Sequence, residues 1–214
     1  MRKLRHHGYV QYGCGLCAPQ QWTSFDANPS LRLARIPLVR KLLRKHLPAF
    51  PPNVMYGDIS KGLPVEHESC SAVYCSHVLE HLTYTECRAA LRNTFLMLRA
   101  GGVFRCVLPD LKAYARRYLD SLDAAASSRF MQDTMLGAKD RPQGLVQHLR
   151  MVYGRSRHCW MWDYVSLSDV LREIGFADIR PALRGDSGDP QFDLVEDPSR
   201  WDEHSFGVHC RRPF

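Results

Sequence analysis

Gly57–Leu108 reads GDISKGLPVEHESCSAVYCSHVLEHLTYTECRAALRNTFLMLRAGGVFRCVL, and its periodicity decides the fold class. Two short apolar runs, Ser71–Cys75 and Val103–Leu108, flank a segment with helical spacing, Thr83–Arg99. Cys87, Ala90, Leu91, Thr94, Phe95 and Leu98 recur on one face of that segment. Thr83-x-x-Glu86 is a capping box at its start. Gly101-Gly102 supplies the residue type that tolerates a left-handed cap at its end. The unit is strand–helix–strand. Its polar residues gather where the strands end: Ser76, His77, Glu80 and His81 after the first, Pro109 and Asp110 after the second. In open α/β sheets the ligand lies outside the carboxyl ends of the strands, so the chemistry is expected there.

The rest of the chain completes that sheet or covers that edge. Upstream, Gly8–Tyr12 (GYVQY), Trp22–Phe25 (WTSF) and Asn53–Tyr56 read as strands. Gly13-Cys14-Gly15 follows the first of them and allows a tight turn and close approach to a ligand. Downstream, Leu111–Leu122 and Ala124–Leu136 look helical, and Gln147–Tyr153 reads as a further helical turn. Residues 111–165 break the α/β rhythm and are expected to form an insertion over the active edge. It carries the aromatic run His158-Cys159-Trp160-Met161-Trp162-Asp163-Tyr164. A helix from Ser166 to Gly175 and two last strands, Ala177–Arg180 and Gly207–Arg211, close the chain. With 214 residues, 45% of them hydrophobic, one domain over residues 1–214 is expected.

Several readings are set aside. Gly13-x-Gly15-x-x-Ala18 suggests a dinucleotide fingerprint, but Asp26 follows too soon and Pro19 leaves no room for a crossover helix. Cys14-x-x-Cys17 suggests half a zinc site, but no second pair is evident, and no metal is expected. The eight cysteines fall largely on apolar faces, so a reduced, cytoplasmic protein is expected. No apolar run approaches the ~20 residues of a membrane helix, and the basic N-terminus lacks the apolar core of a secretory signal. The net charge of +7 favours anionic partners in general. After Pro37, Leu38, Val39, Leu42, Leu43 and Leu47 face away from Arg40, Lys41, Arg44 and Lys45. That helix packs on the domain or makes peripheral contact with an anionic membrane through residues 38–47. No aromatic–basic stripe of the single-strand-binding kind is present, so no nucleic-acid partner is expected. The oligomeric state is not legible.

YGCG with Phe25-Asp26, then GDI, LP and SHVLEHL, then LRAGGVFRCVLPDL, resembles the class I S-adenosylmethionine-dependent methyltransferases. The likeness is to small bacterial type-11-like members with a shortened glycine motif. The H-x-W-M-[YW]-D run fits the same group. The resemblance implies a Rossmann-like seven-stranded sheet of order 3-2-1-4-5-7-6 with strand seven antiparallel. It implies S-adenosyl-L-methionine as cofactor. Gly13, Cys14 and Gly15 would pass under its methionine part, and backbone N–H groups of such a turn bind anions. Asp26 would accept from both ribose hydroxyls. Asp58 and Ile59 would lie by the adenine, and Ser76 and His77 would flank the sulfonium. The implied activity is O- or N-methylation of a small molecule, such as a sugar, nucleotide-linked or secondary-metabolite acceptor. A hydroxyl acceptor benefits from a general base, most often His. The candidates are His158 first, then His77 and Asp110, with His148 in the insertion. The competing reading is a non-catalytic binding protein of the same fold, docking through its basic helix.

Overall fold

In the computed structural model, which describes residues 8–33, 49–137, 140 and 157–214, seven strands form one sheet. They are β1 (Tyr9–Tyr12), β2 (Trp22–Asp26), β3 (Met55–Tyr56), β4 (Cys70–Ser76), β5 (Leu98–Pro109), β6 (Ala177–Ala182) and β7 (Ser205–Arg211). Their order is β3-β2-β1-β4-β5-β7-β6. β7 runs antiparallel to both neighbours and the other pairs are parallel. This is the sheet of the class I methyltransferase fold. The helices are α1 (Pro29–Leu33), α2 (Tyr84–Met97), α3 (Leu111–Leu119), α4 (Ala126–Asp133) and α5 (Tyr164–Ile174). The basic segment 38–47, Gln147–Tyr153 and His148 lie outside the described residues. Among the described residues no helix is long and apolar enough to cross a membrane.

The capping box forms as its spacing demands. Thr83 Oγ1 accepts from Glu86 N at 3.3 Å, and Glu86 Oε2 accepts from Thr83 N at 3.0 Å. α2 then buries Cys87, Ala90, Leu91, Thr94 and Met97 against one face of the sheet, with Val10, Phe25, Val73 and Phe104 beneath. β5 is longer than its apolar run: it starts at Leu98 and crosses Gly101-Gly102. A Cβ on Gly102 would stand 2.9 Å from two carbonyl oxygens, those of Arg99 and Cys70, so the strands close up only because this residue has none.

On the other face no α-helix packs in the core cluster among the described residues. Only Gly13–Gln21 connects the parallel strands β1 and β2, fewer residues than the dozen or so a helical crossover takes. The segment between β6 and β7 lies there instead. Phe192 and Val195 pack with Trp22, Ala72, Tyr74 and Val107, and Trp201 closes the cluster. One buried cation holds the segment down. Arg105 of β5 donates to Glu196 from Nε (2.9 Å) and Nη2 (2.7 Å), to Asp186 from Nη1 (2.8 Å) and to the Leu183 carbonyl (3.0 Å). Arg105 and Glu196 are both fully buried. Burial opposes ionisation of Asp186, but hydrogen bonds from Arg105, Leu183 and Arg180 outweigh it and hold its carboxyl at about 2. Burial, with Arg180, Arg105 and Arg211 around it, pushes His209 down to about 4. The neutral ring sits with Nδ1 3.2 Å from Arg105 Nη1.

Two outcomes follow. Arg105→Ala strands Glu196 as a buried charge and is expected to cost about 3–5 kcal/mol of unfolding free energy; a loss in urea titration below about 1 kcal/mol would refute the clamp. The unfolded His209 binds a proton near 6.5 and the folded one only near 4. The unfolded chain therefore binds more protons in that window, and stability falls as pH drops through it. His209→Gln should flatten that slope in urea titrations between pH 6.5 and pH 4.

Candidate functional site

The carboxyl ends of β1 to β4 meet at one edge and enclose a cleft of about 190 Å³. Tyr12 and Gly13 come from the end of β1, Asp26 from β2, Gly57 and Ile59 from the turn after β3, and His77, Val78 and His81 from the turn after β4. A second hollow of about 380 Å³ lies across the glycine turn. Cys14, Gly15 and Ser76 line it, together with Tyr74, Asp197 and Arg200. Tyr12 and Gly13 border both. The residues the sequence nominated therefore fall into two adjoining spaces: Gly13, Asp26, Ile59 and His77 in the first, Gly13, Cys14, Gly15 and Ser76 in the second.

Gly13 is the hinge between them. Its φ is +66°, and a Cβ there would lie 2.1 Å from Val78 Cγ2. Asp26 braces the turn: Oδ2 accepts from Gly15 N at 2.9 Å and Oδ1 from Asn28 N at 2.8 Å. Each carboxylate oxygen has further lone pairs, so Asp26 retains capacity for a ligand hydroxyl. Asp58 is engaged locally. It caps the 3₁₀ turn Ile59–Lys61, accepting from Ser60 N (3.1 Å) and Ser60 Oγ (2.7 Å). Burial, and next the charge of Asp26, pushes the Cys14 thiol up to about 12; it is a neutral wall group, not a nucleophile. Tyr74 and Ser76 line the second hollow, and the buried Tyr74 hydroxyl has the polar atoms of Ser76 and Trp201 as its neighbours.

The base candidates part company. His77 lines the cleft, at φ +52°, with Nε2 3.3 Å from the Arg200 carbonyl. Asp110 caps α3 by accepting from Lys112 N at 2.9 Å. His158 is buried behind the cleft wall, its ring 4.9 Å from that of His81. Desolvation holds His158 below the ordinary imidazole range, opposed by Glu80. The aromatic run reaches this edge because Trp162 bridges Asp110 and its carbonyl accepts from Leu111 N at 2.9 Å. Trp162 is core; Trp160 is half-exposed and tilts against Tyr84 at 5.0 Å.

Sequence reasoning passed over Gly57 and Arg200, and it placed Glu80 at the strand end without giving it a role. Gly57 is needed because a Cβ would meet Leu63 at 2.6 Å and Phe25 at 2.8 Å. Arg200 sits in a loop with no periodicity to flag it. Glu80 was visible in SHVLEHL, but nothing in its spacing says that it is buried.

The comparisons with known proteins agree with this fold. A family model described as a methyltransferase domain matches residues 10–106. The match runs from β1 into β5, just under half of the chain, and over that stretch the chain is similar to the family. No curated protein matches the chain in sequence. Among solved structures, a methyltransferase from Archaeoglobus fulgidus aligns at a TM-score of 0.50 with 13% identity, over 96% of this chain and 86% of its own. A methyltransferase from Thermotoga maritima aligns at 0.50 with 15% identity, over 95% and 81%. Phosphoethanolamine N-methyltransferase 2 of Haemonchus contortus, in complex with S-adenosyl-L-methionine, aligns at 0.50 with 9% identity, over 100% of this chain and 50% of its own. At such identities the chain shares their fold, and its own residues must speak for the site.

The hinge is testable without a ligand. Gly13→Ala carries both a left-handed backbone and the Val78 clash, and is expected to lower stability by about 1–3 kcal/mol. Val78→Ala in the same chain should return part of that loss in thermal melts; strict additivity of the two changes would show that the contact does not form.

Proposed function

We propose that the chain transfers a methyl group from S-adenosylmethionine to a small-molecule acceptor, with the cofactor spanning both spaces across Gly13. The observation that carries this reading is the shape of that edge. The cleft offers Asp26, an acceptor-only group suited to ribose hydroxyls, and beside it Ile59, an apolar surface suited to adenine. The second hollow offers Arg200, a cation suited to the methionine carboxylate. Ser76 and Tyr74, whose hydroxyls lie together on the wall of that hollow, suit a polar ligand there. Gly13 borders both spaces, so its backbone lies along the path from one to the other.

Once bound, the cofactor supplies an already activated methyl group. The chain's part is to hold the acceptor in line with it at about 3–3.5 Å. Of the base candidates, His77 is the one on the cleft wall, and it is the group assigned to take a proton from a hydroxyl or ammonium acceptor. The acceptor is read as small, oxygen- or nitrogen-bearing and compatible with a basic protein.

Calorimetric titration with S-adenosylmethionine and its demethylated product tests the reading. Micromolar binding is expected, weakened at least tenfold by Asp26→Ala and by Arg200→Ala. Absence of binding to a folded sample would overturn it.

A further inference from the structure

Glu80 is the anomaly of this edge. It lies in the 3₁₀ turn Leu79–His81, is fully buried, and neither of its oxygens receives a hydrogen bond. An isolated carboxylate is costly to bury, and such groups are normally paired or bound to a metal. Three histidine rings surround it instead of a lysine or arginine. Its Oε1 is 3.3 Å from His77 Nδ1 and 4.0 Å from His158 Nε2. His81 completes the group: one ligand atom each from Glu80, His81 and His158 lies within 4.8 Å of the others.

The rings are oriented by what they bond on their far side. His81 Nδ1 is 3.0 Å from the Arg157 carbonyl. A carbonyl only accepts, so Nδ1 carries the proton and Nε2 keeps the lone pair. His77 Nε2 likewise stands 3.3 Å from the Arg200 carbonyl, and its Nδ1 makes no hydrogen bond to Glu80. Ring N–H to backbone carbonyl is the usual outer-shell arrangement of a metal-bound histidine. Two peptide bonds fix the spacing, since Cys159 N (2.7 Å) and Trp160 N (3.2 Å) both donate to the Glu80 carbonyl.

From these contacts we infer that Glu80, His81 and His158 form a binding site for a divalent first-row transition cation. Two imidazoles and one carboxylate favour zinc, iron(II) or manganese over magnesium or calcium, which take oxygen ligands. Ligands about 2.1 Å from a tetrahedral ion stand about 3.4 Å apart, so ligand atoms that now lie within 4.8 Å of one another must close by up to about 1.4 Å. Three protein ligands leave a coordination position open. His81 also lines the cleft, so that position faces it. The cation would hold an oxygen of the acceptor there, a role that rests on the methyltransferase reading; the binding itself does not.

The test is cobalt(II) titration of chelator-treated protein, followed by its visible d–d absorption. One equivalent is expected to give the spectrum of a low-coordinate ion. Glu80→Gln and His158→Ala should each weaken it by at least about 100-fold, the upper end of what an outer-shell change costs. His67→Ala, at an exposed position, should leave it unchanged. Thermal melts guard against misfolding. Without metal, Glu80→Gln should melt at or above the parent, because it removes an uncompensated buried charge; with zinc, the parent alone should rise. No spectrum, or a spectrum that survives Glu80→Gln, would overturn the site and leave Glu80 as a partner of protonated histidine. S-adenosylmethionine titration of the same samples reports separately on the methyltransferase reading.

Discussion

Parallel strands cannot be joined by a tight hairpin, and the nine residues Gly13–Gln21 are too few to carry a helix over the sheet. Much of this molecule answers that constraint. The face that a crossover helix would cover still carries Trp22, Tyr74 and Val107. Leaving it wet would forfeit burial worth roughly 25 cal/mol per Å². The segment 183–204 takes the place of the helix, and because it has little regular structure of its own it needs anchors. Arg105 is the main one. It sits in the sheet interior, stacks near Phe192 and Trp201, and is neutralised by Glu196 and Asp186 from the segment it holds. A buried ion pair is weak evidence for stability in general. Here its geometric effect is clear: it fixes one position for a loop that propensity alone would leave free.

The sheet was legible because its determinants are local. Ser71–Cys75, Thr83-x-x-Glu86 and Gly101-Gly102 each fix their own few residues, and the family resemblance supplied the strand order. Boundaries drifted where tertiary pairing extends an element past its apolar run, as in β5, which pairs with β7 from Val103 to Pro109. The site was half legible. Gly13, Asp26, Ile59 and His77 do converge. The split into two spaces was not visible, because it depends on Val78 rising against Gly13. Nor was Arg200 visible, which arrives from a loop more than 120 residues beyond the strand end it joins. His158 shows the same limit: its position in an aromatic run over the active edge suggested a general base, whereas packing sets it beside His81 and Glu80.

Those three residues explain one another better than they explain a proton relay. A histidine meant to exchange protons with a ligand benefits from standing at the cleft, as His77 does. His158 stands one layer back, its ring edge-on to His81. A buried carboxylate ringed by imidazoles whose outer nitrogens are tied down is an electrostatic arrangement waiting for positive charge.

The covering segment has one more consequence, for the order in which the molecule comes together. Tyr9 at the start of β1 donates to Asp189, 180 residues away, and Trp22 Nε1 donates to the Gln191 carbonyl. One wall of the second hollow thus comes from the last fifth of the chain. Loop-closure entropy must be met before such distant contacts return any stability. During synthesis the early strands emerge with an apolar flank open to solvent and half a pocket. Competence to hold a ligand would then arrive late and abruptly, when the tail lies down.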